Sequence, residues 1–206
     1  NMKIMRKIIK ISLVMTLLVI GSCSDDFLSP DPISAVSGEE YYTNDQELET
    51  AIINMYDGLQ GLNDTDANNN HATQIEYQLT EMRSDNTRSM SQEGESAQFE
   101  SFSVESTNGV VFDYYRSFYN IIFRANIALS NLEAATPEAA AKFEGEAKFV
   151  RAYAYFMLVR LFGPIPLVDR VIDLTEKDVQ FPRRSVEDVY QLIISDLTTS
   201  VANLDD

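Results

Sequence analysis

Apolar residues recur every three or four positions along several long segments of the chain, which is the period of α-helices with one buried face. The most regular segment runs from Thr136 to Phe162. A capping hydroxyl, Pro137 at the first helical position and a run of alanines predict a helix of about seven turns. Gly163 and the Pro-x-Pro after it end this helix. We expect it to be the spine of the fold, with its aromatic stripe in the core.

The same spacing predicts four further helices, and polar segments join them. A capping box at Thr43 and Gln46 marks the start of the first, and Ser185 caps the last. An Asn-Gly turn is expected at 108–109, and segments 98–104 and 168–174 are expected to be extended. The four further helices cover about residues 45–61, 73–83, 112–132 and 186–204.

Two of these helices show which residues they should bury. The third is expected to turn inward Tyr115, Tyr119, Ile122, Asn126 and Leu129. The last is expected to bury Val186, Tyr190, Ile193, Leu197, Val201 and Leu204. A buried amide needs hydrogen-bond partners, so Asn126 is expected to bond to the backbone of a neighbouring segment rather than to a ligand.

Neighbouring long helices with a short link form antiparallel hairpins. The expected fold class is therefore all-α, built from helical hairpins over residues 45–206. With 206 residues and 45% hydrophobic content, the chain has room for one domain or for part of a larger one, and it can bury a core.

The N-terminus has the features of an export signal. Four basic residues precede an apolar run over 11–20, which is too short to span a bilayer and suits residues 1–22 as a signal peptide. Ile20-Gly21-Ser22-Cys23 resembles the bacterial lipobox, in which Cys23 becomes the lipidated N-terminus. A buried free cysteine, or a plain secreted protein with a fortuitous cysteine, is the alternative. As the only cysteine, Cys23 allows no internal disulfide.

Charge narrows the classes of partner. The formal net charge is −16, and removal of the signal peptide would leave 12 basic residues against 32 acidic ones. Such a chain does not suit nucleic acid, whose binding depends on Lys and Arg at phosphates. An anionic membrane surface would not attract it either, so a lipid on Cys23 would provide the attachment.

Residues 23–44 are expected to be an extended tether. Its first acidic residues, Asp25 and Asp26, resemble a surface-export signal, and a simple solvated tether explains them equally well. The prolines at 30 and 32 favour extended backbone.

A polar loop at residues 63–70 imitates the start of a calcium-binding EF-hand. The match fails where Asn69 replaces the required Gly and where Ile75 replaces the required Glu. A looser calcium site remains open there, as does a ligand contact. His71 is the single histidine, which excludes a histidine-based metal cluster within the chain. No metal site and no cofactor are predicted.

A second polar loop follows the helix expected at 73–83. Its residues Asp85, Asn86 and Arg88 can accept and donate the hydrogen bonds that vicinal hydroxyls of a polyol require. We therefore take these three as candidate ligand-binding residues. An ordinary solvated loop, or an Arg-Asp pair that fixes helix ends, is the alternative.

Four stretches resemble the SusD/RagB outer-membrane lipoproteins, in that family's order. The third stretch, which covers most of the predicted 136–162 helix and the Gly-Pro corner after it, is the most specific. The stretches are Cys23 with DDFLSPDP at 25–32; the stripe over 115–129; EAKFVRAYAYF at 146–156 with LFGPIPL at 161–167; and PRRSVEDVY at 182–190 with its continuation to 197.

The resemblance implies a fold of tetratricopeptide-like hairpins and a non-enzymatic, lipid-anchored protein at the cell surface. It implies capture of glycans for a SusC-like TonB-dependent transporter in the outer membrane. Family chains continue well past residue 206, so the resemblance covers their N-terminal part. The chain has no tryptophan, the commonest platform for sugar rings. Its stacking residues are then expected to be tyrosines or to lie outside this sequence.

Two other functions are weighed against this one. A helical scaffold that binds only a protein partner would share the fold and the anchor. A glycoside hydrolase would need two carboxylates across a cleft, and 32 acidic residues single out no pair. G-x-S-x-G, H-E-x-x-H and phosphate-loop motifs are missing from the sequence.

Overall fold

The computed structural model describes residues 2, 4–6, 41–60, 72–90, 93–172, 176 and 178–204. The chain divides into two compact units, 1–40 and 41–206. The first is described only at residues 2 and 4–6, which are helical. Cys23, the tether up to residue 40, the 63–70 loop and His71 all lie outside the described residues, so the predictions made for them stay predictions.

The second unit is built from helices, as expected for an all-α chain. Two two-residue strands, β1 (Ile165–Pro166) and β2 (Arg183–Arg184), pair antiparallel and were not predicted. Short 3₁₀ turns lie at Ala72–Ile75, Glu81–Arg83 and Leu132–Ala134. The α-helices are α1 (Asp45–Gln60), α2 (Glu76–Leu79), α3 (Ala97–Glu100), α4 (Gly109–Ser130), α5 (Pro137–Phe162) and α6 (Val186–Asn203).

The long helices stack as consecutive antiparallel partners. The short turn after α4 returns the chain so that α5 packs along it, which confirms the predicted hairpin. Helix α6 then packs along α5 in the opposite direction, since Gly145 lies against Leu204 at one end and Phe156 lies against Tyr190 at the other. Helix α1 covers the other side of α4 and α5.

The core lies where α1, α4 and α5 meet. Its largest fully buried side chains include Leu48 and Met55 from α1, Phe118 from α4, and Tyr155 and Leu158 from α5. Burying each such side chain stabilises the fold by about 1.5–3 kcal/mol. Among the described helices, none carries an apolar stretch long enough to cross a bilayer.

Helix α6 buries only part of the predicted face: Ile193 is buried as expected, and Tyr190 and Leu204 are half-buried. Val189, Ile193, Asp196 and Ser200 are buried, whereas Val201 is 79% exposed. The predicted residues Val186, Leu197 and Val201 are all exposed. The two helices approach closely near the end of α6, where a Cβ on Gly145 of α5 would lie 2.9 Å from Leu204 Cγ. Toward the middle of α6, the buried ion pair with Arg151 places Asp196 on the inner face.

The aromatic stripe of α5 is also only partly in the core. Tyr155 is fully buried, but Phe149 is 48% exposed and Phe156 is 37% exposed. The expectation that the whole stripe packs inside was therefore wrong. Phe149 and Phe156 lie seven residues apart, which places them on one face of α5, and Phe156 contacts Tyr190 edge to face with ring centroids 6.4 Å apart.

A buried polar network joins α4, α5 and α6. Arg151 donates two parallel hydrogen bonds to Asp196, from Nε at 2.7 Å and from Nη2 at 2.8 Å. Its Nη1 donates to Asn126 Oδ1 at 2.8 Å. Asn126 Nδ2 donates to the carbonyls of Val168 and Arg170 at 2.9 and 3.2 Å. The prediction that Asn126 is buried and bonds to a neighbouring backbone segment is confirmed.

The corner after α5 is held from both sides. Gly163 has φ +67°, a conformation that other residues rarely adopt, so its choice as the stop is confirmed. The Tyr155 hydroxyl donates to the Val168 carbonyl at 2.9 Å and accepts from the Val168 N–H at 2.7 Å. The Tyr119 hydroxyl donates to the Pro166 carbonyl at 2.8 Å.

Of the N-caps predicted for α1 and α6, only the cap of α6 is the residue expected. Ser185 Oγ accepts from the Asp188 N–H at 3.1 Å, as expected for α6. At α1 the cap is Asn44, whose Oδ1 accepts from the Glu47 N–H at 3.0 Å, so the predicted box at Thr43 and Gln46 was displaced by one residue. Glu47 in turn accepts from the N–H and hydroxyl of Thr43.

At the start of α5, the predicted cap residue has another partner. Thr136 makes no side-chain bond to its own helix. Its N–H and hydroxyl donate to the carboxylate of Asp45 at 2.6 and 2.8 Å. Thr136 therefore ties the beginning of α5 to the beginning of α1.

Residues 72–109 depart furthest from the prediction. The single helix expected over 73–83 is three short consecutive turns, and the Thr80 hydroxyl donates to the Glu76 carbonyl where α2 ends. The segment expected to be extended over 98–104 begins with α3. The expected Asn-Gly turn is the start of α4, with Asn108 as its N-cap accepting from Val111 N–H at 3.2 Å.

Candidate functional site

The residues proposed from sequence lie on an exposed turn. Asp85 and Asn86 are exposed, and within the described residues their side chains make no hydrogen bond or ion pair. Arg88 forms an ion pair with Glu100, Nε to Oε1 at 3.6 Å, although the Arg88 side chain is almost fully exposed. Glu100 also accepts from the Ser89 N–H at 2.7 Å. The turn is thus fastened to α3 through Glu100.

Beside this turn, an open groove of about 250 Å³ lies between the short helices and the ends of the long ones. We call it the aromatic groove. It forms where the 3₁₀ turn after α2, the segment from α3 to Val104, the start of α4 and the end of α5 meet. Its lining residues are Leu79, Arg83, Phe99, Phe102, Val104, Val111, Leu161 and Phe162.

The aromatic groove has an apolar floor and an exposed aromatic rim. Leu79 and Phe99 on the floor are buried. Phe102 is 69% exposed and has φ +54°, the only positive φ at a non-glycine among the described residues. Arg83 is also exposed and makes no ion pair within the described part of the chain. An unpaired guanidinium beside a free aromatic face can bind hydroxyl oxygens and stack against an apolar ring face.

The three residues predicted from the sequence lie close to the groove but are not part of its lining. Asp85, Asn86 and Arg88 come two to five residues after Arg83 in the chain, and none of the three lines the groove. Their role in ligand binding stays a prediction. Arg83, Phe99 and Phe102 were missed. The available signal was the phenylalanine pair three residues apart, which suits a helical turn better than the strand that was predicted.

Two tyrosines of α4 are neutral rather than charged groups. Burial raises the pKa of Tyr114 and of Tyr119 well above the usual range for a phenol. The Tyr114 ring lies 6.4 Å from that of Phe162, and its hydroxyl has no partner within the described residues. Burial also raises the pKa of the nearby Glu76 carboxyl, against the opposing effect of Arg160.

No cation site was found in the described part of the chain. No three His, Cys, Asp or Glu side chains come together there in a way that could hold a metal ion.

The fold and the groove define a class: an all-helical hairpin protein with an open aromatic groove at one end of its longest helix. A family model described as "Starch-binding associating with outer membrane" matches residues 27–206. The chain belongs to this SusD-like family, which confirms the family indicated by the sequence.

A curated relative and solved structures agree. A "SusD-like protein" of Bacteroides ovatus is 29% identical over 208 residues, which cover 98% of this chain and 36% of the relative. A SusD-like protein of Bacteroides fragilis has a TM-score of 0.64 at 21% identity, over 87% of this chain and 32% of its own. This chain therefore spans about a third of the length of these proteins.

Two further solved structures are described with the name of a glycan. A "Laminarin binding SusD-like protein" has a TM-score of 0.64 at 24% identity and covers 79% of this chain and 35% of its own. A crystal structure with xylogluco-oligosaccharide has a TM-score of 0.59 at 25% identity, over 77% of this chain and 30% of its own. The shared helical fold is the finding that these two support.

Proposed function

We propose that this chain provides part of a cell-surface lipoprotein that captures oligo- or polysaccharides and delivers them to a SusC-like TonB-dependent transporter. The observation that carries the proposal is the aromatic groove, with the exposed ring of Phe102 beside the unpaired Arg83. Sugar rings present C–H-rich faces that pack on aromatic rings, and their hydroxyls accept hydrogen bonds from guanidinium groups.

The polar turn beside the groove extends this surface. Asp85 and Asn86 are exposed with unengaged side chains, so they can bond to hydroxyls of a chain that runs beyond the groove. Arg88 remains a candidate through its exposed guanidinium, although it shares Glu100 with the loop. Family membership and the glycans named for two relatives support the same ligand class.

The proposed action is binding without catalysis. The groove lining contains one arginine and no carboxyl group, whereas glycoside hydrolysis needs a pair of carboxylates. A bound glycan is therefore expected to be recovered intact.

The test is a binding assay of the full chain against a panel of soluble glycans that includes laminarin and xyloglucan oligosaccharides. Phe102→Ala is expected to weaken binding at least about tenfold, since stacking is lost. Phe123→Ala is the matched control, because Phe123 is a half-exposed aromatic residue on α4 that does not line the groove. Failure to bind any glycan of the panel, or equal losses in the two variants, would contradict the proposal.

The anchoring part of the proposal concerns Cys23. We propose that Cys23 is lipidated and holds the protein at the outer membrane, with its glycan site facing outward. Cys23→Ala is expected to move the protein from the membrane fraction to the soluble fraction of cells. A protein that stays in the membrane pellet would contradict the lipid anchor but not the proposed glycan site.

A second candidate function is supported by the outer face of α6. Val186, Tyr190, Ile194, Leu197 and Val201 share one side of this helix, and we call them the α6 stripe. Between Val189 and Asn203 the one charged residue is Asp196, which is buried. A scaffold that binds only a protein partner would use such a surface. Retained association with the transporter and no glycan binding would favour this function.

A further inference from the structure

Phe102 combines an exposed aromatic ring with an unfavourable backbone. At φ +54° the β-carbon crowds the following carbonyl oxygen, which makes the conformation unfavourable for any residue other than glycine. The ring gains little from burial in return, since it is 69% exposed. Such a conformation persists only where the surrounding structure imposes it.

Gln98 imposes it from the N-terminal side. The Gln98 carbonyl accepts from the Ser103 N–H at 3.0 Å, which closes the turn around Phe102. Its side-chain Oε1 accepts from the Glu105 N–H at 3.1 Å and from Asn108 Nδ2 at 2.8 Å. Gln98 therefore fixes the backbone that follows Phe102 at two residues, Ser103 and Glu105.

Asn108 connects this turn to the long helix. Its side chain is buried, with 3% of the residue exposed. Besides Gln98 Oε1, Nδ2 donates to the Glu95 carbonyl at 3.0 Å, and Oδ1 caps α4. The Glu95 carboxylate accepts from the Gly109 N–H at 2.6 Å and so holds the same helix start. The loop is thus attached to an element of the core.

We propose that Gln98 and Asn108 are positioning residues that hold the Phe102 ring in place before a ligand arrives. The inference rests on the proposed function, in which Phe102 stacks on a sugar ring. A platform that is already ordered spares the bound complex the entropy of ordering a loop. The ligand class is one with a flat apolar ring face, such as a pyranose.

The experiment uses Gln98 in two variants of the full chain, with a glycan from the panel that the wild-type chain binds. Gln98→Ala removes the shared acceptor and is expected to weaken binding about tenfold. Gln98→Glu keeps an acceptor oxygen at that position and is expected to restore most of the affinity. Gln60→Ala, an exposed glutamine in the last turn of α1, is the matched control and should bind as the wild-type chain does.

Two readouts separate positioning from a general loss of structure. Hydrogen exchange at the Glu105 amide, whose acceptor is the Gln98 side chain, is expected to accelerate in Gln98→Ala, while the melting temperature changes little. In a Phe102→Ala background, Gln98→Ala should have no further effect on binding.

The outcomes distinguish the two proposals. If Phe102→Ala binds like the wild-type chain, the proposed glycan site itself fails. If Phe102→Ala weakens binding but Gln98→Ala does not, or if their losses add in the double variant, the positioning role is wrong.

Discussion

The buried side chain of Arg151 on α5 connects this helix to α4 and α6. Every described partner of Arg151 lies on another element: Asp196 on α6, Asn126 on α4, and the Asp169 carbonyl beyond the corner. A buried ion pair is a weak source of net stability, because desolvation offsets the attraction. Removing one partner is different, since it leaves the other charge buried and unpaired.

We therefore expect Asp196→Ala to destabilise the fold by about 3–5 kcal/mol in urea denaturation. Asp113→Ala is the control, because Asp113 pairs with Arg116 at 3.3 Å on the surface, where loss of a pair costs under about 1 kcal/mol. Similar losses in both variants would show that burial of Arg151 does not matter.

Gly163 gives a second test at this scale. Its φ of +67° suits glycine, and no atom outside Gly163 and its two chain neighbours lies within 4 Å of the place where a Cβ would stand. The cost of Gly163→Ala is therefore conformational and is expected to be about 1–3 kcal/mol, measured as a lower midpoint of thermal unfolding. An unchanged midpoint would mean that the corner relaxes without loss.

These residues show how far single positions can be interpreted from sequence. Asn126 could be predicted, because an amide within an apolar stripe has to find partners. Gly163 could be predicted from the prolines that follow it. Arg151 could not, since its partner lies 45 residues away and nothing local marks the pair.

At the scale of elements, the positions of the long helices were predictable, but the buried face of α6 was not. Periodicity located α1, α4, α5 and α6 to within a few residues. Helix α6, however, carries two stripes at helical spacing, one ending in Ser200 and the other in Val201. The choice between them depends on Gly145 and Arg151 of α5, which is tertiary information.

The far end of the α5–α6 pair carries a pH-dependent contact. The Glu144 carboxylate accepts from Lys148 Nζ at 2.7 Å and from Asn203 Nδ2 at 2.9 Å. The hydrogen bond from Lys148 lowers the pKa of Glu144 below 4.5, with Asn203 adding to the effect. The folded carboxyl thus binds its proton less readily than the unfolded one. Its contribution is present above the unfolded pKa and is lost as the pH falls through the folded pKa.

Glu144→Gln is therefore expected to lower the free energy of unfolding by about 0.5 kcal/mol at pH 7, and the difference from the wild-type chain should shrink as the pH falls toward 3. Urea denaturation at pH 7, 5 and 3 measures it. Glu49→Gln, on the exposed face of α1, is the control. If the difference in the free energy of unfolding stays constant from pH 7 to pH 3, the carboxylate is excluded as its cause.

For the whole molecule, the aromatic groove shows why a proposed binding site is harder to predict than a fold. The helices are each encoded within a continuous segment. The aromatic groove instead takes its walls from residues between Leu79 and Phe162, so only the assembled fold brings them together. The polar turn at Asp85 could be proposed from the sequence because its composition is local, and its role stays a prediction. Phe102 was missed because its exposure depends on the loop that Gln98 fixes.

The α6 stripe has a consequence for the molecule in solution. Contiguous exposed aliphatic side chains promote association. We expect the 206-residue chain to self-associate as its concentration rises, and the paired change Ile194→Lys and Val201→Lys to reduce this, as measured by light scattering after size-exclusion chromatography. Ile53→Lys, at an exposed position on α1, is the control. Equal effects of the two changes, or a chain that is monomeric at every concentration, would contradict the role of the stripe.

The short β1–β2 ladder closes the base of the segment between α5 and α6. Ile165 pairs with Arg184 and Pro166 with Arg183, and Asn126 and Tyr155 fix the carbonyl of Val168. The ends of the segment are therefore held whatever its length, because closing a longer loop costs only a few tenths of a kcal/mol more. The stretch near Asp178 is thus a suitable place to insert an affinity tag or a fluorophore that reports on the protein without disturbing either terminus.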